Sequence, residues 1–337
     1  MKVAIIGAGR MGQRHLEAVR LLGYETIGVS DISAKNLTDT AEKFSLDASQ
    51  LHLDPHAFIS SENPDCVIIA TTADSHCELV CAAAQAGAKF ILVEKPMATS
   101  LSDCQKMINV CKKTGSRLSV NHQMQFLDQY ITPKMMLNSK EYGGLSSMTV
   151  TAGNFGMAMN GLHYIEAFRF MSGEDPKYVS AWFSAGKVAN PRGVQFEDKA
   201  GCIRVVTPKG VRLYIDASED QGNGVVVTYA GRNGIIQVNE LSGELTAFAR
   251  TSEYIGESTT RYGLPSAHEK LMIPPVELID STANVLRSLI SGINYVHADY
   301  GMNAIKVLEA GYRSSESFGK QIELNDDSNQ ETKFPWA

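Results

Sequence analysis

The hexapeptide Gly7-Ala8-Gly9-Arg10-Met11-Gly12 narrows the choice of fold more than any other stretch of the chain. The spacing G-x-G-x-x-G is weak when it stands alone and informative only in a strand–turn–helix setting. Residues 2–6 before it read as a buried strand. Residues 11–22 after it place Leu16, Val19 and Leu22 on one helical face, with Gly23 as the stop. In that setting each glycine has a task. Gly7 permits a tight turn, Gly9 lets the backbone approach a pyrophosphate, and Gly12 lets the helix pack closely on the strand. The unpaired N–H groups and positive dipole end at the helix start attract phosphate. The loop, including Arg10 and Met11, is therefore predicted to bind a dinucleotide.

Asp31 ends the next apolar run, nineteen positions after Gly12. A carboxylate there accepts hydrogen bonds from the adenosine ribose and repels a 2′-phosphate, which favours NAD over NADP. Ser30, Ser33 and Lys35 are its neighbours in sequence.

Further strands are expected at residues 26–30, 66–70, 89–93 and 117–120, with a helix at 75–86. Strands separated by helical stretches imply right-handed crossovers and a doubly wound parallel sheet of the Rossmann type. Solid apolar runs such as Cys66-Val67-Ile68-Ile69-Ala70 fit strands buried on both faces. After Asn121 the pattern changes to period two. Val211, Leu213 and Ile215 point one way, and Arg212, Tyr214 and Asp216 the other. Residues 145–151, 178–185, 202–206, 225–229, 235–238 and 245–249 extend the series, joined in places by short turns such as Thr207-Pro208-Lys209-Gly210. Helices at 276–291 and 303–317 follow. The chain is thus expected to be α/β: a dinucleotide-binding domain over 1–121, then over 122–337 an α+β domain with a large, mostly antiparallel open sheet. The polar tail 325–337 reads as frayed, with Phe334 and Trp336 available to dock on a neighbour.

Composition removes several classes of partner. Of 337 residues, 44% are hydrophobic and 20% charged, an ordinary globular balance. The net charge of −6 comes without a basic stripe, so nucleic acid is not an expected partner. No apolar run is long enough to span a bilayer, and the apolar start breaks at Gly7, too early for a signal peptide. The six cysteines include no Cys-x-x-Cys pair, which points to a reducing cytoplasm. His76, Cys77 and Cys81 lack the spacing of a zinc site, and no metal is expected.

Glu94-Lys95-Pro96 stands at the carboxyl end of the strand over 89–93, where ligands bind in such sheets. An ammonium at Lys95 would lie beside the nicotinamide, hold a substrate hydroxyl and stabilise charge on that oxygen. A cis Pro96 would fix the turn. Standing alone, the tripeptide would read as a solvated loop.

In order, the hexapeptide, residues 66–72 followed by His76, Glu94-Lys95-Pro96, and His163 in Gly161-Leu162-His163 resemble the Gfo/Idh/MocA family of oxidoreductases. The resemblance implies an NAD(H)-dependent enzyme acting at a ring carbon of a sugar, inositol or nucleotide-sugar. It implies a homodimer or homotetramer formed through the C-terminal sheet. It adds Thr71, Thr72, His76, Glu94, Lys95, Pro96 and Asn121 to the cofactor contacts, with Lys95 and His163 as the catalytic pair and Asn160 as a further substrate contact. A neutral imidazole at His163 is matched to taking a hydroxyl proton near neutral pH. Two positions depart from the family pattern. Met159 stands four residues before His163, where an aspartate is common, and Gln125 lies where an arginine is often near. The same resemblance leaves two rival readings: a glycoside hydrolase that oxidises transiently and reduces again, and a dinucleotide-bound regulator without catalysis. His15 reads as a solvated or capping residue, His122 as an extra polar contact or a structural residue, and His268 and His297 as loop or helix-start residues.

Overall fold

The computed structural model describes residues 1–153, 155–186, 188–190, 192–274, 278–324 and 331–336. Its contacts divide the chain into two units. The first comprises Met1–Gln123, Glu277–Ile305 and Asn329–Ala337, and the second Met124–Val276 and Lys306–Ser328. The sequence suggested one boundary after residue 121, but the chain returns to the first unit.

The first unit runs β1 (Lys2–Ile6), α1 (Arg10–Leu21), β2 (Glu25–Ser30), α2 (Ala34–Phe44), β3 (Leu51–His52), α3 (Pro55–Glu62), β4 (Cys66–Ile69), α4 (Ala73–Gln85), β5 (Phe90–Val93), α5 (Leu101–Thr114) and β6 (Arg117–Val120). The strands form one sheet in the order β3-β2-β1-β4-β5-β6, all parallel. The order reverses between β2 and β4, on either side of β1. This is the switch point where an α/β sheet opens a crevice at its carboxyl edge. Val3 to Ile5 and all of β4 are solvent-free, as runs buried on both faces must be. Ser33 caps α2 by accepting from the Asn36 N–H, and Asp54 caps α3 with Pro55 in its first turn.

In the second unit, α6 (Asp128–Leu137), β7 (Leu145–Gly153), α7 (Leu162–Ser172), β8 (Tyr178–Phe183), β9 (Gly201–Val206), β10 (Arg212–Ser218), β11 (Val226–Gly231), β12 (Gly234–Asn239), β13 (Glu244–Arg250) and β14 (Ser266–Met272) follow. The chain then gives α8 (Leu278–Ser291) to the first unit. The helix α9 (Ala298–Glu316) gives its start to the first unit and the rest to the second, which ends with β15 (Ile322–Glu323). The second sheet has the order β14-β13-β12-β11-β7-β10-β9-β8-β15. It is antiparallel except where β10 pairs with β7 in parallel, Leu213 opposite Met148. The alternation read in β10 holds: Leu213, Ile215 and Ala217 are buried. Strand β14 was not legible because it is exposed along almost its whole length; its pairing with β13, not an apolar pattern, makes it a strand.

The returning segment has a physical reason. Helix α8 packs on α1, and the Arg117 guanidinium donates to Leu289 O at 2.6 Å and Ile290 O at 3.0 Å, satisfying carbonyls in the last turn of α8. The expected start of this helix at 276 lies outside the described residues. Residues 331–336 also differ from the frayed reading. Trp336 is 1% exposed within its own chain, while 325–330 and 337 lie outside the described residues.

The turn into α1 makes a contrast that can be measured. A Cβ on Gly12 would lie 1.8 Å from Gly7 O, whereas one on Gly9 meets nothing within 4 Å. Alanine in a helix interior gains about 1 kcal/mol over glycine, but overpacking of this kind costs about 1–3 kcal/mol and more for backbone contact. Gly12→Ala is therefore expected to lower unfolding stability and Gly9→Ala to change it by less than about 0.5 kcal/mol, as measured by urea denaturation. Equal stability of the two variants would contradict this packing account.

Candidate active site

The glycine loop holds its shape through both backbone and side chains. Gly7 has φ +100°, open to glycine but costly for other residues, and a Cβ there would lie 2.6 Å from Ala70 O. Its N–H donates to Ser30 O at 2.7 Å, tying the loop to the end of β2. Thr40 of α2 donates to Ala8 O at 3.0 Å. Gly9 stands at the N-cap of α1 without a side-chain cap, and no acidic residue lies in the first turn. The bare helix start and the open space over Gly9 fit a pyrophosphate.

Asp31 lies half-buried at the end of β2. Its Oδ2 accepts from the Ala8 N–H at 2.7 Å, and its Oδ1 from the Ser33 N–H at 2.8 Å. Asn36 Nδ2 donates to the same carboxylate. The acidic residue is thus fixed to the loop itself. Ile32 beside it is 88% exposed, an apolar surface that nothing in the sequence pattern singled out. Lys35, the nearest cation in sequence, is engaged by Asp39 at 2.6 Å.

At the carboxyl ends of β5 and β6, Glu94 is the centre. Its carboxylate is 2% exposed. Oε1 accepts from His15 Nε2 at 2.8 Å and from Asn121 Nδ2 at 2.8 Å, and Oε2 from the Lys95 N–H at 3.3 Å. Burial pushes this carboxyl up. The His15 hydrogen bond and charge, the Lys95 ammonium and the Asn121 amide outweigh burial and hold it at about 2. A carboxylate only accepts, so His15 Nε2 carries a proton. This corrects the reading of His15 as a solvated or capping residue, since it is 1% exposed. The signal was present: Gly12, His15, Leu16 and Val19 fall on the buried face of α1. The Glu94 side chain likewise anchors the turn from beneath.

His76 is also placed beneath the surface, at 0% exposure. Its Nδ1 lies 3.0 Å from Pro96 O and 3.3 Å from Met97 O, and its Nε2 lies 3.2 Å from Thr71 O. Burial pushes its pKa down despite these carbonyls and the nearby Glu94. Instead of lying open to a ligand, the ring clamps the turn after β4 to the turn after β5. Thr71 and Thr72 form the approach to α4, where Ser75 Oγ donates to Thr71 Oγ1 at 2.7 Å. The Lys95–Pro96 peptide is cis, as the motif suggested. Asn121 Oδ1 is buried without a hydrogen-bond partner, an unfilled acceptor at the end of β6 of the kind a carboxamide would fill. His122 is buried at 2% exposure.

In the second unit, His163 lies in the first turn of α7, continuous with the π-helical turn Met157–Gly161. Met159, Asn160 and His163 are half-exposed, whereas residues 155–158, 161, 162 and 164–168 are buried. Spacings of three and four residues put these three on one face of the helical segment. The buried side is anchored. Tyr164 OH donates to Glu240 Oε2 at 2.9 Å, Tyr130 OH donates to Glu240 Oε1, and Glu166 forms two 2.7 Å bonds with Arg169. Burial pushes the Glu240 carboxyl up, and the two hydroxyls pull it back.

The structure adds Asp198, which the sequence reading did not single out. It is 2% exposed, accepts from the Ala158 N–H at 2.9 Å and from the Met159 N–H at 2.8 Å, and a Cβ on Gly156 would strike it. An anion on the first amides of a helix is favoured by the dipole. A lone aspartate in a loop region carries no pattern that reveals this. His268 and His297 make aromatic contacts, with Phe248 and Tyr295 respectively, and His268 lies in β14 instead of a loop.

Because Glu94 has its carboxyl depressed from 4.5 to about 2, its contribution to stability is fully present above about pH 4.5 and is lost as pH falls towards 2. Glu94→Gln is expected to be less stable than the parent by roughly 3 kcal/mol at pH 7. The gap should narrow at pH 3.5 in paired thermal melts. A constant gap across this range would show that the charge is not the source.

Comparison with known proteins agrees with this geometry. Residues 1–122 match the GFO_IDH_MocA model, described as an oxidoreductase family with an NAD-binding Rossmann fold. The chain is similar to the inositol 2-dehydrogenase of Salmonella paratyphi B, 25% identical over 68% of this chain and 75% of the relative. It is similar to the D-apiose dehydrogenase of Paraburkholderia graminis, 30% identical over 53% and 52% of the two chains. Among solved structures, an oxidoreductase from Agrobacterium radiobacter in complex with NAD+, L-tartaric acid and magnesium superposes with a TM-score of 0.79, covering 96% of this chain and 98% of that one at 20% identity, a likeness of fold. The first 122 residues thus match the NAD-binding Rossmann fold of the Gfo/Idh/MocA oxidoreductases.

Proposed function

We propose that this protein is an NAD(H)-dependent dehydrogenase of a sugar or polyol, acting on a ring carbon that bears a hydroxyl or keto group. One observation carries the reading: of residues 91–100, only Lys95 is not buried. The fold presents that one ammonium at the carboxyl edge of the sheet and packs everything around it. The names of the relatives, an inositol and an apiose dehydrogenase, support the substrate class.

NAD supplies hydride exchange when bound. The Gly7–Gly12 loop and the bare start of α1 hold its pyrophosphate. Asp31 accepts from the ribose hydroxyls, and its negative charge opposes a 2′-phosphate; with Lys35 drawn to Asp39, this favours NAD over NADP. Lys95 orients the substrate hydroxyl and stabilises negative charge on its oxygen. His163 takes or returns the hydroxyl proton, and Asn160, on the same helical face, binds a neighbouring hydroxyl. Met159 cannot share a proton, so His163 works without the carboxylate common four residues before it.

We further propose that a second copy of the chain covers the open face of the second sheet, where Trp182, Tyr214, Ile235 and Phe248 are 38–55% exposed. A reducing cytoplasm suits the described cysteines, which are all free, with Cys202 alone exposed. No helix among the described residues is long and apolar enough to cross a membrane.

Lys95→Ala is expected to lower turnover by on the order of a hundredfold or more while leaving NAD affinity almost unchanged by calorimetry. Survival of turnover would sink the assignment. A panel of sugars and inositols tested by thermal shift with NAD present should yield a ligand that raises the melting temperature. Net NADH formation with that ligand supports the dehydrogenase, and bond cleavage without net NADH supports a redox glycoside hydrolase. Trp182→Glu combined with Ile235→Glu should reduce the mass measured by light scattering to that of a single chain. An unchanged mass would overturn the proposed interface.

A further inference from the structure

The turn that carries Lys95 is held from two sides, and only one of them lies near it in sequence. On the inner side, Glu94 and His76 bind its backbone. The other hold comes from residues 333–336. The Phe334 N–H donates to Thr99 O at 2.9 Å. The Phe334 and Trp336 rings stack in parallel, with centroids 4.3 Å apart and planes 7° from each other. Trp336 is among the largest fully buried side chains of the protein. Lys333 Nζ lies 3.3 Å from Asp103 Oδ2, the same oxygen that accepts from Ser100 Oγ at 2.9 Å. Ser100 in turn caps α5 by accepting from the Asp103 N–H. A segment more than two hundred residues away in the chain is thus fastened to residues 99–103, which continue directly from the cis Lys95–Pro96 peptide.

We infer that residues 333–336 are a positioning segment for the catalytic turn, with Trp336 as its anchor. A segment that merely frays would not bury an indole at 1% exposure. The two stacked rings form one rigid plate, and the Thr99 and Asp103 contacts fix that plate to the stretch between Lys95 and α5. The lysine side chain has several rotatable bonds, so the direction of its ammonium depends on a backbone that does not move. Their contacts are with residues 99 and 103, so their effect passes through the turn. The consequence for turnover rests on the dehydrogenase reading above, whereas the ordering of the turn does not.

The test uses the full chain and two readouts. In hydrogen exchange followed by mass spectrometry, Trp336→Ala is expected to speed exchange of amides at 97–103 by on the order of tenfold or more, leaving β1 and α1 at the parent rate. In steady-state kinetics the same variant should lower kcat by on the order of tenfold to a hundredfold, with less change in KM and no change in NAD affinity. Trp336→Phe, which keeps a ring against Phe334, should restore most of both. If Trp336→Ala does not fold, Phe334→Ala removes the stacked partner and must show the same local pattern. A uniform rise in exchange across the first unit, or no rise at 97–103, would overturn the inference. If the parent turns over no sugar or polyol, the dehydrogenase reading fails and the exchange pattern alone decides the role of the segment.

Discussion

The architecture of the first unit depends on one buried anion. A carboxylate removed from water loses several kcal/mol of solvation unless partners replace it. Glu94 has those partners: His15 from α1, Asn121 from the end of β6, and the N–H and ammonium of Lys95. Each comes from a different part of the fold, so the charge is comfortable only when helix, strand end and turn are all in place. Removing any one partner leaves a buried charge short of a bond, which costs more than the bond itself contributes. This makes the arrangement specific as well as stabilising.

That anion also couples the two ends of the cofactor site. Helix α1 starts so close to the Gly7 carbonyl that a Cβ on Gly12 would strike it, and one turn later His15 ties the helix to Glu94. The helix whose bare N-terminus suits a pyrophosphate is therefore bonded to the residue before Lys95. The distance between the phosphate subsite and the lysine is set by a helix and a hydrogen bond rather than by a mobile loop. His76 adds a second tie of the same kind between the turns after β4 and β5. Positioning of this quality matters for hydride exchange, where small displacements of the substrate are costly in rate.

The legible parts of this design were those with local pattern. The glycine spacing, the apolar strands of the parallel sheet and the alternation in β10 all follow from chain periodicity, and the structure realises them nearly residue for residue. Other features depend on distant pairing. Strand β14 has no buried face to betray it, and α8 reads as a helix without revealing that its apolar side belongs on α1. His15 lay within a readable periodicity, since it shares a face with Gly12 and Val19; its partner, 79 residues away, gave no sign. The motifs mark the place of Glu94 and His76 in their turns but not the direction of their side chains, which lie buried. Trp336 was legible as an aromatic able to dock, but its polar neighbourhood gave no sign that it is buried within its own chain.

The second unit shows how a missing residue can leave the scaffold intact. Met159 stands where the resemblance to the Gfo/Idh/MocA family leads to the expectation of an aspartate before the histidine. Yet the helical turn that bears Met159, Asn160 and His163 is not weakly held. Asp198 binds the amides of Ala158 and Met159, and the Tyr130–Glu240–Tyr164 cluster grips the opposite side of α7. These contacts use backbone amides and buried hydroxyls, so they are indifferent to the side chain at 159. Exchange of a carboxylate for a thioether at that position changes what the face can do chemically without changing where the face is. The half-exposed trio then consists of one apolar, one amide and one imidazole group. Of the three, only the imidazole can carry a proton near neutral pH, so the chemical character of this face is set by His163 and Asn160 and not by residue 159.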